Sequence, residues 1–292
     1  MRFGFWPGPN NSWSDTLALA MHAETAGWHG IWYADHFMPN AEDTSGPTSE
    51  CWTTLAALAV AVPRVRIGAL ATHARIARSP LAKQLPIVAD CANGIADNQV
   101  RSRGTIGGSL ASGDPSCDWP VLLTTLDAKL QAQGPGGVRE LPVDGFVEDL
   151  YVTKLKPGEL ITGISFALPV KGSAGAYVGF KRCAPAYPTI SVGVQLSLKG
   201  EQCESVRIAL GSAGLTTIHA RGAEAELKGK TLTPAVLARA AEAAVAECDP
   251  VDDQRGSIAF KQSIINALVK RGIETAKRRC QGETVEVSHE YY

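Results

Sequence analysis

Along the first seventy residues, short apolar runs alternate with helix-length runs that mix apolar and polar positions. Arg2 to Trp6 reads as a strand and Asp15 to Ala26 as a helix, with Ser12 or Ser14 to cap it and Gly27 to stop it. Gly30 to Ala34 reads as a second strand, ending at Asp35-His36. After a loop rich in Pro, Asn and Gly, Trp52 to Val62 is an alanine-leucine helix and Val65 to Leu70 a third strand. Strand-helix-strand-helix-strand is the opening of a parallel α/β unit.

The rhythm then changes. Leu81 to Ile95 is a mostly apolar helix in which Pro86 either kinks the chain or marks the true first turn. Val121 to Leu130 continues apolar into strands at 128–133, 137–142 and 161–168, and Gln133 to Gly137 is a hairpin-type connection, so this region is expected to be antiparallel. The glycines of 134–137 join two short strands with no helix behind them, which makes a turn and not a phosphate loop. Tyr177 to Leu198 and Ser205 to Gly211 read as strands, and Thr216 to Leu227, Thr233 to Cys248 and Ser257 to Arg278 as helices, with Pro234 in a first turn. The predicted class is α+β: an N-terminal three-stranded parallel βαβαβ unit, a central α+β subdomain with an antiparallel sheet, and a C-terminal small antiparallel sheet with helices. Lys277 to Tyr292 carries mixed charge and reads as a disordered end.

One stretch interrupts the apolar runs. Val100 to Pro120 is rich in Gly, Ser, Pro and Asp, a composition that predicts irregular backbone built as a site. Gly107 and Gly108 lack a Cβ, so the backbone there can bend and bring its N–H groups close to a phosphate or ring oxygen. Thr105, Ser109 and Ser112 add hydroxyls, and Asp118 adds an acceptor suited to a ribityl or ribose hydroxyl. A surface turn cluster is the plain alternative, because Gly-Gly pairs mark turns in many proteins.

Composition narrows the partners. The 292 residues suffice for two or three lobes, and 45% hydrophobic with 20% charged residues is ordinary for globular chains. A formal charge of -1 gives no reason to expect nucleic acid or an anionic membrane. No leader pattern and no apolar run of about 18 residues is visible, so a cytoplasmic protein without a membrane span is expected. The seven cysteines are scattered, which fits reduced and mostly buried thiols; any iron-sulfur cluster belongs on another chain. Cys117 lies beside the proposed loop, with nothing in the sequence to fix its pKa. His22, His29, His73, His219 and His289 have no metal-ligand spacing and read as surface or helix-face residues.

Four segments, in order, resemble the FAD-binding subunit of the molybdenum hydroxylases, of the kind found in aerobic carbon monoxide dehydrogenase and related to the flavin domain of xanthine dehydrogenase. They are Ile67 to Pro80, Gln99 to Pro120, Leu155 to Pro169, and Asp253 to Phe260 with the apolar-basic helix behind it. The resemblance covers about residues 68–280 and implies that FAD is held by Thr105, Ile106, Gly107, Gly108, Ser109, Ser112 and Asp118. The C-terminal lobe would cover the isoalloxazine side, where Lys181, Arg182 and Tyr187 approach it or else form an ordinary strand edge; Ala186-Tyr187 stands where many members have Asp-Phe. The family's first glycine motif, of the type Ala-Gly-Gly-x-Ser, has no counterpart, since no Gly-Gly precedes Gly107.

Residues 1–72 instead resemble the start of luciferase-like flavin or deazaflavin monooxygenases, through Phe3-Gly4-Phe5-Trp6, Ala23 to Trp28, Trp32 to Phe37, Trp52 to Ala59 and Arg66-Ile67-Gly68. The chain thus reads as a fusion joined within Arg66 to His73, with domains at 1–72, 73–170 and 171–280 and a tail at 281–292. Three strands cannot close an eight-stranded barrel. Asp35 and His36 are therefore either a proton-carrying pair near a flavin, as the second resemblance implies, or a remnant bonded to the following loop.

The first family implies an electron-transfer subunit with no catalytic residue of its own, taking electrons from a partner iron-sulfur small subunit that drew them from a molybdopterin-binding large subunit. The alternatives are a luciferase-like oxidoreductase using His36 and Asp35, or a fusion product without activity.

Overall fold

The computed structural model describes residues 4–5, 12–26, 30–31, 66–67, 71–134, 136–170, 172–183 and 186–287. The chain forms two compact units, one of residues 1–70, 133–138 and 156–160, the other of 71–132, 139–155 and 161–292.

In the first unit β1 (Gly4–Phe5), β2 (Gly30–Ile31) and β3 (Arg66–Ile67) pair in that order, both pairings parallel. Helix α1 (Trp13–Thr25) runs between β1 and β2 in the chain. Ser12 begins it: its hydroxyl accepts the Asp15 N–H at 3.2 Å and donates to the Asp15 carboxylate at 2.7 Å. Thr16, Ala20 and Ala23 are its buried face, at spacings of four and three that lie on one side of a helix. The helix expected at 52–62 and the Asp35-His36 pair lie outside the described residues.

The second unit begins with six helices: α2 (His73–Ala77), α3 (Pro80–Gln84), α4 (Pro86–Gly94), α5 (Asn98–Arg103), α6 (Ile106–Ser112) and α7 (Asp118–Thr125). Pro86 is the first residue of α4, where its missing N–H costs nothing, so the apolar stretch from 81 divides at Leu85. The irregular backbone expected over 100–120 is largely helical. Thr105 caps α6, Gly113 ends it at φ 64°, and α7 starts at once after Cys117. Short helices separated by one left-handed glycine have the same composition as a loop.

Strands β4 (Lys129–Gly134), β5 (Gly137–Pro142), β6 (Val147–Asp149), β7 (Val152–Thr153) and β8 (Leu160–Ser165) follow, with sheet order β5-β4-β8 and β6 antiparallel to β7. The two residues between the neighbours β4 and β5 permit only antiparallel pairing. Leu110, Trp119, Leu122, Leu123, Leu130 and Phe146 anchor the core of these helices and strands.

The rest of the unit is a four-stranded sheet, ordered β12-β11-β10-β9, of β9 (Ser173–Phe180), β10 (Ile190–Lys199), β11 (Gln202–Gly211) and β12 (Ile218–His219). Its pairings are antiparallel. The expected single strand over 177–198 is two strands, interrupted at 181–189. The helix expected from Thr216 begins only at α8 (Arg221–Leu227), because Ile218 and His219 are taken into the sheet opposite Leu210 and Ala209.

The period-two alternation of β10 gives the sheet two unlike faces. Ile190, Val192, Val194 and Leu196 join the core built with α9 (Pro234–Ala246) and α10 (Ile258–Cys280). Ser191, Gly193 and Gln195 face the other way, where small residues let α4 and α7 approach closely. A Cβ on Gly193 would collide with Thr125 Oγ1, and one on Gly211 would lie 2.5 Å from Val121 Cγ2. The sheet is thus the shared wall of two cores.

Candidate functional site

The site is built on the entry to α6. Residues 71–73 and 104–106 run antiparallel, with His73 N–H donating to Gly104 O at 3.0 Å and Ile106 N–H to Ala71 O at 3.2 Å. Thr105 Oγ1 then accepts the Gly108 N–H at 3.1 Å, and Ser109 N–H donates to Thr105 O at 3.1 Å. These bonds use every amide of the first turn except that of the buried Gly107, which has no acceptor among the described residues. A Cβ on Gly108 would stand 3.0 Å from Thr105 Oγ1, so the cap and the glycine require each other.

The hydroxyls differ in what they leave free. Thr105 accepts through its oxygen and keeps its own proton to donate. Ser112 donates to Ser109 O at 2.9 Å and lies 3.8 Å from Cys117 Sγ. Beside Thr72, whose backbone bridges Thr105, opens a pocket of ≈ 590 Å³ lined in part by Arg75, Arg78, Ser79 and Ser102. The pocket thus offers the Arg75 and Arg78 guanidiniums, groups that can donate to anionic oxygens, while the Ser79 hydroxyl already donates to Ile76 O at 2.6 Å.

Asp118 has different surroundings. It is 6% exposed, and its Oδ1 accepts the Tyr177 hydroxyl at 2.9 Å. Burial pushes its carboxyl pKa up, with nearby Lys181 and the Tyr177 hydrogen bond opposing. Lys181 Nζ donates to Gly94 O at the end of α4, and Arg182 donates to Gln254 O at 2.7 Å. The structure therefore brings Asp118, Tyr177 and Lys181 together in the joint between α7 and β9, with Thr105 to Ser112 on α6 and Arg182 tied to the loop before α10.

Other residues of these elements were not singled out as site residues in the sequence. His73 is 3% exposed, not a surface residue, and its Nδ1 accepts the Trp119 Nε1–H at 2.8 Å. Burial, then the charge of Arg101, lowers its pKa to about 4, so the ring is neutral. That bond joins the start of α2 to α7. His219 is half-buried, with its side chain 6% exposed between Asp144 and Glu224. Arg255 donates to Ser116 Oγ at 2.7 Å and to Pro188 O at 3.2 Å, and its guanidinium lies 6.0 Å from the Tyr187 ring centroid. Its only sequence signal was membership of the Asp253 to Phe260 stretch.

Cys117 is buried, and its thiol is pushed up to about 12 by burial and then by Asp114, so it stays protonated at neutral pH. Cys91 and Cys203 are buried, Cys183 is exposed, and Cys51 lies outside the described residues. Among the described residues no group of His, Cys, Asp and Glu is arranged to hold a metal. No described helix is long and apolar enough to cross a membrane.

Comparison with known proteins gives three matches along the chain. Residues 53–169 match the FAD binding domain in molybdopterin dehydrogenase, and residues 175–276 the CO dehydrogenase flavoprotein C-terminal domain. Residues 1–82 match the luciferase-like monooxygenase family, overlapping the first match over 53–82, where the two resemblances meet. The carbon monoxide dehydrogenase medium chain of Hydrogenophaga pseudoflava is 36% identical over 217 residues, 74% of this chain and 76% of the relative. That of Afipia carboxidovorans is 35% identical over 218 residues, with the same coverage. In structure, a chain of the Hydrogenophaga pseudoflava carbon monoxide dehydrogenase lacking the Mo-pyranopterin moiety superposes with a TM-score of 0.74 at 30% identity, covering 96% of this chain and 99% of that one.

Proposed function

The chain belongs to the FAD-binding medium-chain family of the molybdopterin dehydrogenases, and on that footing we propose that it is the electron-transfer subunit of a carbon monoxide dehydrogenase-like molybdenum hydroxylase. In this role it takes electrons from the iron-sulfur clusters of a small subunit, supplied by a molybdopterin-binding large subunit, and passes them to an acceptor in the cytoplasm. The supporting observation is the entry to α6, where the buried Gly107 amide has no acceptor among the described residues and Thr105, Ser109 and Ser112 share its short helix.

The Gly107 amide, the Thr105 and Ser109 hydroxyls and the Ser112 oxygen would hold the phosphate and ribityl portions of FAD. Ile106 places the turn through its bond to Ala71. Asp118 would support the cofactor side indirectly, through the joint in which its carboxyl accepts the Tyr177 hydroxyl near the charge of Lys181. Lys181 and Arg182 set the C-terminal side of the site through their bonds to Gly94 and Gln254. Bound FAD supplies the redox chemistry; the chain's part is to bind, orient and shield it. We read residues 1–72 as a luciferase-like βαβαβ fragment, 73–170 as the FAD-binding subdomain, 171–280 as the C-terminal domain and 281–292 as a tail.

The test is the visible absorption spectrum of the purified protein before and after incubation with FAD and with FMN. A bound-flavin spectrum with FAD, lost in Gly107→Leu while circular dichroism is unchanged, supports the reading; failure of both flavins to bind refutes it and leaves a fusion without a working cofactor site. A second reading is favoured by the match over residues 1–82: a luciferase-like oxidoreductase using Asp35 and His36. Full retention of any flavin-dependent oxidation in His36→Ala removes it.

A further inference from the structure

We propose that His219, as an imidazolium held between Asp144 and Glu224, is a proton-controlled clasp that ties the Asp144 loop to the C-terminal sheet and loosens when the ring loses its proton. Its Nδ1 lies 2.7 Å from Asp144 Oδ2 and its Nε2 2.8 Å from Glu224 Oε1. An ionised carboxylate only accepts, and a neutral imidazole carries a single N–H. Both bonds therefore require both ring protons, and the side chain is only 6% exposed, so water offers little substitute.

The clasp spans the two cores. Asp144 follows β5, in a loop fixed by Val143 N–H donating to Ala128 O at 2.9 Å and by the fully buried Phe146. His219 belongs to β12 and Glu224 to α8, while Glu224 Oε1 also accepts the Ile208 N–H of β11 at 2.8 Å. Two guanidiniums complete the cluster. Arg221 of α8 reaches Asp144 Oδ2 at 2.8 Å, and Arg207 of β11 reaches it at 3.4 Å and Asp127 at 3.0 Å. Arg207 also donates to Thr124 O of α7 at 2.6 Å.

Loss of the ring proton turns one hydrogen bond into a lone pair facing a carboxylate, with the arginines left to hold the loop. The Glu224 bond raises the His219 pKa above the ordinary 6.5; burial opposes this, the Asp144 bond adds to it, and Arg207 works against the charge. A raised folded pKa means that the clasp's stabilisation is complete below about 6.5 and is lost as pH rises through the folded value.

Imidazole titration by NMR on the full chain, with His219→Arg identifying the signal, tests this directly. The expected midpoint for His219 lies above 6.5. Thermal unfolding across the same range should show an alkaline fall in the melting temperature of the wild type. That fall should be missing from His219→Arg, which keeps the charge, and from His219→Asn, which is less stable at every pH. A His219 midpoint at or below 6.5, or a parallel alkaline decline in wild type and His219→Asn, overturns the proposal. If His219→Asn does not fold, the wild-type midpoint decides alone.

Discussion

Replacing Arg279 by Ala tests how the two cores of the larger unit are held together. Arg279 of α10 grips Asp90 of α4 through both guanidinium nitrogens, Nη1 to Oδ2 at 2.6 Å and Nη2 to Oδ1 at 3.0 Å, with side chains 7% and 8% exposed. The same guanidinium donates to Gly175 O at 2.7 Å and to Val285 O at 2.6 Å, so one side chain joins α4, β9 and the segment after α10. Removing it takes both guanidinium bonds from a buried carboxylate that also accepts the Tyr177 N–H at 3.2 Å. A buried ion pair broken on one side typically costs ~3–5 kcal/mol, far more than a surface pair. At roughly 2–4 °C per kcal/mol for a unit of this size, the melting temperature should fall by about 6–20 °C. Urea unfolding of wild type, Arg279→Met, Asp90→Leu and Arg279→Met/Asp90→Leu gives the full cycle, with Arg279→Ala measured beside it. The double variant should be more stable than either single one, because it exchanges both charges of the buried pair for apolar groups together. A loss under about 1 kcal/mol in Arg279→Ala, or strict additivity of the two singles, would refute the reasoning.

Gly193→Ala should cost about 1–3 kcal/mol by forcing α7 away from the sheet, since the new methyl meets Thr125; urea midpoints read the loss, and an unchanged midpoint would show that α7 yields freely. His73 supplies a pH dependence opposite in sign to that of His219. Its folded pKa, about 4, is below the ordinary 6.5, so the unfolded chain binds more protons between those values and stability falls as pH drops through that window. The full effect is on the order of 3 kcal/mol, at ~1.36 kcal/mol per pKa unit, and His73→Gln, which keeps an acceptor for Trp119, should lack it in acid unfolding curves.

What the sequence made legible follows from what local pattern encodes. Helix starts were readable where a cap or proline sits next to an apolar run, as at Ser12, Pro86, Pro234 and Ser257. The Thr-Ile-Gly-Gly turn stood out in the sequence as a place either for close backbone approach or for a plain turn, because a Gly-Gly pair serves both. The helical state of 100–120 was not, since Thr105 and Gly113 look alike as caps and as loop residues until the flanking helices are known. Nor were His73, His219 and Arg279, whose partners Trp119, Asp144 and Asp90 lie 46, 75 and 189 residues away. Single-chain periodicity records burial on one element but not which charges meet across elements.

The stretch from Thr105 to Asp118 serves two purposes, divided at Gly113. Its first half carries the buried Gly107 amide and the half-buried Thr105 and Ser109 hydroxyls. Its second half is consumed by the joint with the C-terminal lobe, through Ser116 to Arg255, the Pro115 carbonyl to Ser212, and Asp118 to Tyr177. A left-handed residue at φ 64° lets the chain switch between the two roles within a single turn. Any substitution that shifts α7, such as one at Gly193 or Trp119, thus acts on the donors of α6 through a short and rigid connection. Ligand affinity and lobe docking are therefore expected to change together.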